Sequence, residues 1–310
     1  MFEFHNCAPQ FVQQLINGVA LGGLYALIAL GYTMVYGIIE LINFAHGDVY
    51  TMGSFISLSI LGLIPLSTIS NQTELAFIAL AVIVLAALLC GIVGVLIERL
   101  AYRRLRNAPR LAPLITAIGV SLILENIMQI WKGNSEVSFP QFLPDNWHQI
   151  GSVRFDDRSL LVVVVSVICM ILLNLFVFRT KLGKAMRATA QDRDAAQLMG
   201  INVNSTIAWT FFIGSALAGV AGFISGMYYG TTFFLNGYQA GLKAFTAAVL
   251  GGIGNITGAM LGGFVIGIVE TMTSGCISDQ WSEVAVFAIL ILTLVFRPSG
   301  LLGQQLPEKV

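Results

Sequence analysis

The sequence predicts an all-α integral membrane protein: one domain over residues 1–310, about eight transmembrane segments with broken or re-entrant elements, and one charged helix on the cytoplasmic side. Three observations predict it. Hydrophobic residues make up 56% of the 310, and mean hydropathy is +0.83. Charged residues are only 10%, against about 25% in soluble domains, too few to coat a soluble particle of 33.4 kDa. The charges are also bunched, which leaves neutral tracts long enough for the roughly 20 apolar residues that a membrane helix needs. A soluble globule and a disordered chain are both excluded. With 16 Lys+Arg against 16 Asp+Glu there is no global field for nucleic acid, so the placement of charge carries the information.

The first span runs over about 12–36. Met1-Phe2-Glu3 lacks the basic start of a signal peptide, so this stretch reads as a retained span. Further spans lie at about 49–64, 75–97, 111–131, 159–178, 206–228, 242–272 and 284–297. They are apolar on every face, which argues against alternating barrel strands. Most of the basic residues fall in two clusters, Arg99, Arg103, Arg104, Arg106, Arg110 and Arg179, Lys181, Lys184, Arg187, Arg193. The positive-inside rule puts both in the cytoplasm, and the two spans between them agree in parity. The loop at about 132–158 is then external, and Pro140, Pro144, Trp147 and His148 predict an ordered cap there. Counting back from Arg99 puts the start of the first span outside. Gly251-Gly252-Ile253-Gly254-Asn255 interrupts the segment 242–272, and a re-entrant element there returns Arg297 and Lys309 to the cytoplasm. Cys7, Cys90, Cys169 and Cys276 have no metal or redox spacing and read as packing residues without a disulfide framework. No internal repeat is legible.

Two breaks in the apolar tracts are the candidates for a transport path: Glu40, Asn43, His46, Gly47, Asp48, and the run Gly251, Gly252, Gly254, Asn255. Helix ends at such breaks offer N–H groups to a carboxylate and C=O groups to an ammonium. A plain surface turn at 40–48, and close helix packing through glycine at 251–255, are the structural alternatives. Glu125, Asn126, Asn174, Lys243 and Glu270 stand inside spans and must face protein or water; Lys243 and Glu270, flanking the glycine run, read as an interhelical pair or as interfacial residues rather than a proton relay. The segment of about 180–205 is too charged for lipid. As one helix from Ala185 to Met199 it would be about 22 Å long, with Ala185, Ala188, Ala195 and Met199 on one face, Arg187, Gln191 and Asp194 opposite, and Asp192 interrupting the apolar side. The sequence has no phosphate-binding G-x-x-x-x-G-K-[ST], no H-E-x-x-H and no nucleophile elbow. No catalytic or metal-ligating residue is assigned, and no cofactor is expected on this chain.

Asp194-Ala195-Ala196-Gln197-Leu198-Met199-Gly200 resembles the E-A-A-x-x-x-G coupling motif of ABC importer permeases, with Asp for Glu. Gly31 to Ile38, Asn43-Phe44-Ala45-His46-Gly47, Lys243 to Asn255 and Arg297 to Gly303 together resemble the LivH-type permeases of high-affinity branched-chain amino acid importers, over nearly the whole chain. The resemblance implies a bacterial inner-membrane permease, not an enzyme. Its implied partners are a LivM-like second permease, two cytoplasmic ATPases carrying ATP and magnesium, and a periplasmic substrate-binding protein. In that picture Arg187, Asp192, Asp194, Ala195, Ala196 and Gly200 belong to the coupling helix, and Asn43, His46, Gly47, Asp48, Gly251, Gly252, Gly254 and Asn255 face the translocation path of a mainly apolar lumen. The alternatives are a related permease for urea, short amides or other amino acids, and a self-sufficient channel or secondary transporter.

Overall fold

The computed structural model describes residues 10–303 apart from 42, 67, 68, 70, 107, 110, 143–145, 151 and 152. Cys7, Arg110, Pro144, Asp145 and Lys309 lie outside the described residues. Seven helical segments among those described are long and apolar enough to cross a membrane. They are α1 (Phe11–Ile39), α3 (Gln72–Ile97, continued by a π turn Glu98–Tyr102 and a 3-10 turn Arg103–Leu105), α4 (Leu111–Lys132), α5 (Asp157–Arg179), α8 (Val203–Tyr229), α10 (Ile256–Cys276) and α11 (Asp279–Phe296). Two helices of 16 residues, α2 (His46–Leu61) and α9 (Asn236–Gly251), sit in the interior. At 1.5 Å per residue each is about 24 Å long, short of a hydrocarbon core of about 30 Å. The expected segment 242–272 is thus two elements, α9 and α10, so the eight expected segments become nine helices, seven of them long enough to cross.

Side-chain caps set many boundaries. Asn71 accepts from the Thr73 amide at the start of α3, Asp156 from the Ser159 amide at α5 and Asn202 from the Ser205 amide at α8. The Thr180 hydroxyl opens α6 (Lys181–Gln191), and the Asp192 carboxylate accepts from the amides of Asp194 and Ala195 at the start of α7 (Arg193–Leu198). The expected continuous helix 185–199 is therefore corrected: the chain is extended at Asp192 (φ −158, ψ 114) because its carboxylate caps a new helix rather than continuing the old one.

The described residues of the external cap form strands, in keeping with the expected order. The strands β2 (Trp147–Ile150) and β3 (Val153–Asp156) form an antiparallel hairpin, and β1 (Val137–Ser138) pairs with β4 (Thr231–Thr232), just after α8. Gln13 near the start of α1 donates to the Arg154 carbonyl at 2.7 Å and accepts from the Arg154 amide at 2.8 Å, so α1 starts on the outer face. Its other end meets the basic segment: Arg193 donates to the Ile39 carbonyl at 2.7 Å. Cys90 and Cys169 are free thiols, whereas Cys276, at the outer end of α10, is disulfide-bonded, which corrects the expectation of four packing thiols. Outside the cytoplasm a disulfide persists.

The fold also contains a repeat that the sequence conceals. α1–α4 and α8–α11 have the same order, one long helix, one short and two long, but α1 runs inward and α8 outward. Their contacts correspond: α1 packs on α10 as α8 packs on α3, and α2 lies on α8 as α9 lies on α1. Small residues allow both long crossings. A Cβ on Gly263 would lie 2.6 Å from Ala26 Cα, and one on Gly219 2.8 Å from the Ala86 carbonyl. The two units are an inverted repeat, a plan in which ligands pass near mid-membrane between the units. Met34, Tyr36, Gly37 and Asn43 recur as Met227, Tyr229, Gly230 and Asn236 at one constant spacing. Four matches in so uniform a composition are too few to reveal the symmetry.

Candidate functional site

The two short helices cross at the centre of the repeat. Gly47 on α2 faces Gly237 and Gly241 on α9, and a Cβ at Gly47 would lie 3.1 Å from Gly241 Cα and run into the Gly237 carbonyl. The first break is narrower than the sequence implies: His46, Gly47 and Asp48 form the first turn of α2, leaving residues 40–45 as the connection. It is no surface turn, since Asn43, His46 and Asp48 are all buried. The imidazole of His46 packs against Gly31, eight residues or about 12 Å above Ile39, so α2 begins well within the bilayer.

Three neighbouring elements hold this polar turn. Tyr102, on the π turn after α3, donates to Asn43 Oδ1 at 3.0 Å. Ser121 of α4 donates to Asp48 Oδ2. The Tyr32 ring meets His46 edge-on with centroids 4.7 Å apart, while the imidazole faces the Ile28 carbonyl without a well-formed hydrogen bond. Further along α2, Thr51 and Ser54 are buried with unpartnered hydroxyls, as is Thr33 on α1, and Tyr50 bonds Ser225. The surroundings of α2 are therefore more polar than the apolar lumen expected from the sequence. Asp48 also occupies the first turn, where the helix dipole favours an anion.

At the second break Gly252 (φ 101) and Gly254 (φ 92) adopt backbone angles that favour glycine. Gly251 presses on Gly258, and Asn255 caps α10 through the Gly258 amide at 3.0 Å. Both structural readings hold here: the helix is interrupted and its glycines pack closely. The carbonyls expected to be free at the end of α9 have partners, however. Leu301 and Leu302 donate to Leu250 and Gly251 at 2.8 and 3.0 Å, and Asn255 Nδ2 donates to the Leu302 carbonyl at 2.8 Å. The strap 297–303 returns to the end of α9, so Arg297 lies on the same side as that end, the side that the positive-inside rule assigns to the cytoplasm.

On the outer face a cleft of about 820 Å³ opens between α1, α5, α8, α10, α11 and the β2–β3 hairpin. Its lining mixes Arg154, Asp156, Glu270 and Asp279 with Leu21, Phe155 and Tyr228. Glu270 forms the expected interhelical pair with Lys243, Nζ to Oε1 at 2.6 Å, both side chains nearly buried. Breaking such a pair costs about 3–5 kcal/mol, because one charge is left buried, whereas replacing both partners with apolar groups is often neutral. Glu270→Leu is therefore expected to lower the thermal unfolding midpoint in detergent, and Glu270→Leu with Lys243→Met to restore most of it. Equal losses would contradict the pairing.

The basic segment shows which residues face outward. Gly183, Met186, Thr189 and Ala196 turn toward the rest of the chain, while Arg187 stacks over Phe178 at 5.0 Å from its centroid. Ala195, Leu198 and Met199 point away; Leu198 is 88% exposed and Met199 83%. The apolar face expected from a continuous helix, Ala185 and Ala188 with Ala195 and Met199, is thus split, because the break at Asp192 turns α7 relative to α6. Gly200 ends the element at φ 83. Sequence reasoning missed Tyr102, Ser121, Arg193 and Leu198 as participants. Leu198, beside Met199 in a polar segment, was the legible signal; the other three have none.

Interrupted helices at the centre of an inverted repeat, with an apolar tip on the cytoplasmic face, define a membrane transport subunit. The family model described as branched-chain amino acid transport system / permease component matches residues 14–294. The chain belongs to this family. It is 46% identical over 97% of its length to the high-affinity branched-chain amino acid transport system permease protein BraD of Pseudomonas aeruginosa, covering 98% of that protein. It is 43% identical, at 97% and 98% coverage, to the corresponding LivH proteins of Escherichia coli K12 and Salmonella typhimurium. No solved structure matches the chain significantly.

Proposed function

We propose that this chain is one of two permease subunits of an ATP-driven importer in a bacterial inner membrane, carrying leucine, isoleucine and valine inward. Its partners in this reading are a LivM-like permease, a periplasmic binding protein and two cytoplasmic ATPases that hold ATP and magnesium. The chain itself makes and breaks no covalent bond. The observation that carries the coupling half of the reading is the cytoplasmic tip of α7. Leu198 and Met199 stand exposed beside Asp194 and Ala195, and apolar side chains so placed call for a protein groove. Asp192 and Gly200 set the limits of the tip, Ala196 seats it on the chain, and Arg187 braces α6 on α5.

The broken elements supply the path. Asn43, His46, Gly47 and Asp48 lie at the crossing of the repeat, and Gly251, Gly252, Gly254 and Asn255 lie below it at the cytoplasmic end. The outer cleft receives cargo from the binding protein. Burying a Leu, Ile or Val side chain yields only about 1.5–3 kcal/mol, so tight selection falls to a receptor that closes around the amino acid, and the permease needs a passage that releases it.

The test is reconstitution of the chain with the second permease, the ATPases and the binding protein in liposomes. Labelled leucine is expected to accumulate only when ATP is present on the ATPase side. Leucine flux through the chain alone would establish a channel or secondary transporter instead. Uptake of urea or short amides without leucine would move the substrate assignment.

A further inference from the structure

We infer that Arg193 is a positioning residue that transmits movement of the coupling segment to the polar turn of α2. This rests on the importer reading above and adds the route by which the ATPases act. Arg193 is the first residue of α7, directly after the capping Asp192. Its guanidinium leaves the cytoplasmic tip and donates to the Ile39 carbonyl, the last of α1, at 2.7 Å. A cation is favoured there, because the final carbonyls of a helix lack intrahelical partners and carry partial negative charge.

The residue after Ile39 makes this contact more than a staple. Glu40 has φ 55, the one left-handed non-glycine among the described residues. Such a conformation persists only where neighbours impose it. Glu40 opens the connection to Asn43 and His46, so a shift of Ile39 is passed to the buried turn within a few residues.

A second tie converges on the same turn from the other end of the coupling segment. Asn204, in the first turn of α8, accepts from Arg106 at 2.7 Å. Arg106 also bonds Glu98, a fully buried carboxylate that Arg103 holds at 2.8 Å. Glu98 begins the π turn that ends at Tyr102, and Tyr102 donates to Asn43. The coupling segment, held at Arg193 and Asn204, thus grips both supports of the 40–46 connection, the end of α1 and the end of α3.

The experiment uses the complete importer in liposomes and reads leucine uptake and ATP hydrolysis in the same vesicles. Arg193→Gln is expected to lower leucine transported per ATP about tenfold, the scale set by loss of one charge-assisted hydrogen bond, with both ATPases still co-purifying. Arg193→Lys, whose ammonium also reaches a carbonyl, is expected to recover most of the ratio. A residue that merely stabilised the fold would reduce yield and leave the ratio unchanged. If Arg193→Gln fails to assemble, Arg193→Met, which removes the donor as well as the charge, is read in the same way, a ratio below wild type in the assembled complex supporting the linkage. A wild-type ratio in the assembled Arg193→Gln or Arg193→Met importer, or loss of ATPase binding in step with uptake, overturns it. Wild-type vesicles without ATP-driven uptake overturn instead the importer reading on which it rests.

Discussion

Leu198→Asp is expected to reduce ATP-driven uptake by the assembled importer about a thousandfold while the chain itself folds normally. Leu198 is 88% exposed, so nothing in the chain depends on it for packing. In a complex seated on α7 the same side chain is buried, which is worth about 1.5–3 kcal/mol. The substitution loses that contribution and puts a carboxylate into the groove, where an unpaired charge costs several kcal/mol more. A total of roughly 4 kcal/mol corresponds to about three orders of magnitude. Met186→Asp is the contrasting variant. Met186 is 1% exposed and faces the permease, so its replacement is expected to destroy the fold rather than the docking. Co-purification of the ATPases with the two variants, together with the yield of folded chain, distinguishes the cases. Wild-type uptake by Leu198→Asp would remove α7 from the interface. Gly200→Pro and Asp194→Arg are expected to act as Leu198→Asp does: one alters the left-handed residue that ends the element, the other reverses a charge on its exposed side.

Gly47→Leu is expected to abolish transport and to lower the stability of the folded chain by about 3 kcal/mol or more, the upper part of the range for overpacking. The obstacle at Gly47 is backbone, the Gly237 carbonyl and Gly241 Cα, and Gly237 in turn is pressed against the Gly47 carbonyl and Thr51. Backbone cannot turn aside as a flexible side chain can, so α2 and α9 must separate. That separation moves His46 away from Tyr32 and Asp48 away from Ser121, and the whole polar turn is lost. Gly119→Leu provides the control, since a Cβ at Gly119 meets nothing within 4 Å. Thermal unfolding and uptake measured on both variants decide the matter; similar behaviour of the two would show that the crossing tolerates separation.

The broken elements illustrate how far the sequence could be read. Glycine at 251–254 and polar residues at 40–48 announced two interruptions, because neither pattern suits a continuous apolar helix. They did not announce that the first of them crosses the start of α9 at the centre of the fold. That depends on Gly47 meeting Gly237, a pairing between residues with no local signature. The turn at Asp192 was visible as a charge on the apolar side of a helix, but whether the carboxylate would tolerate that position or cap a new helix depended on competition between two local hydrogen-bond patterns. Cys276 read as packing because spacing along a chain says nothing about distance in space. The pair Lys243–Glu270 was legible, since two opposite charges in adjoining apolar segments have few other ways to be satisfied.

The sequence by itself determined the class of protein, most of its helical segments and the clusters of charge from which its orientation is argued. These depend on composition and on the order of charges along the chain, and the cost of placing charge in hydrocarbon enforces them locally. The tertiary structure alone decided the inverted repeat, the crossing of the short helices, the outward turn of Leu198 and the reach of Arg193 to Ile39. Each of these joins residues far apart in sequence, and in a chain rich in Gly, Ala, Leu and Ile, where many helix faces pack equally well by composition, only the three-dimensional fit selects among them.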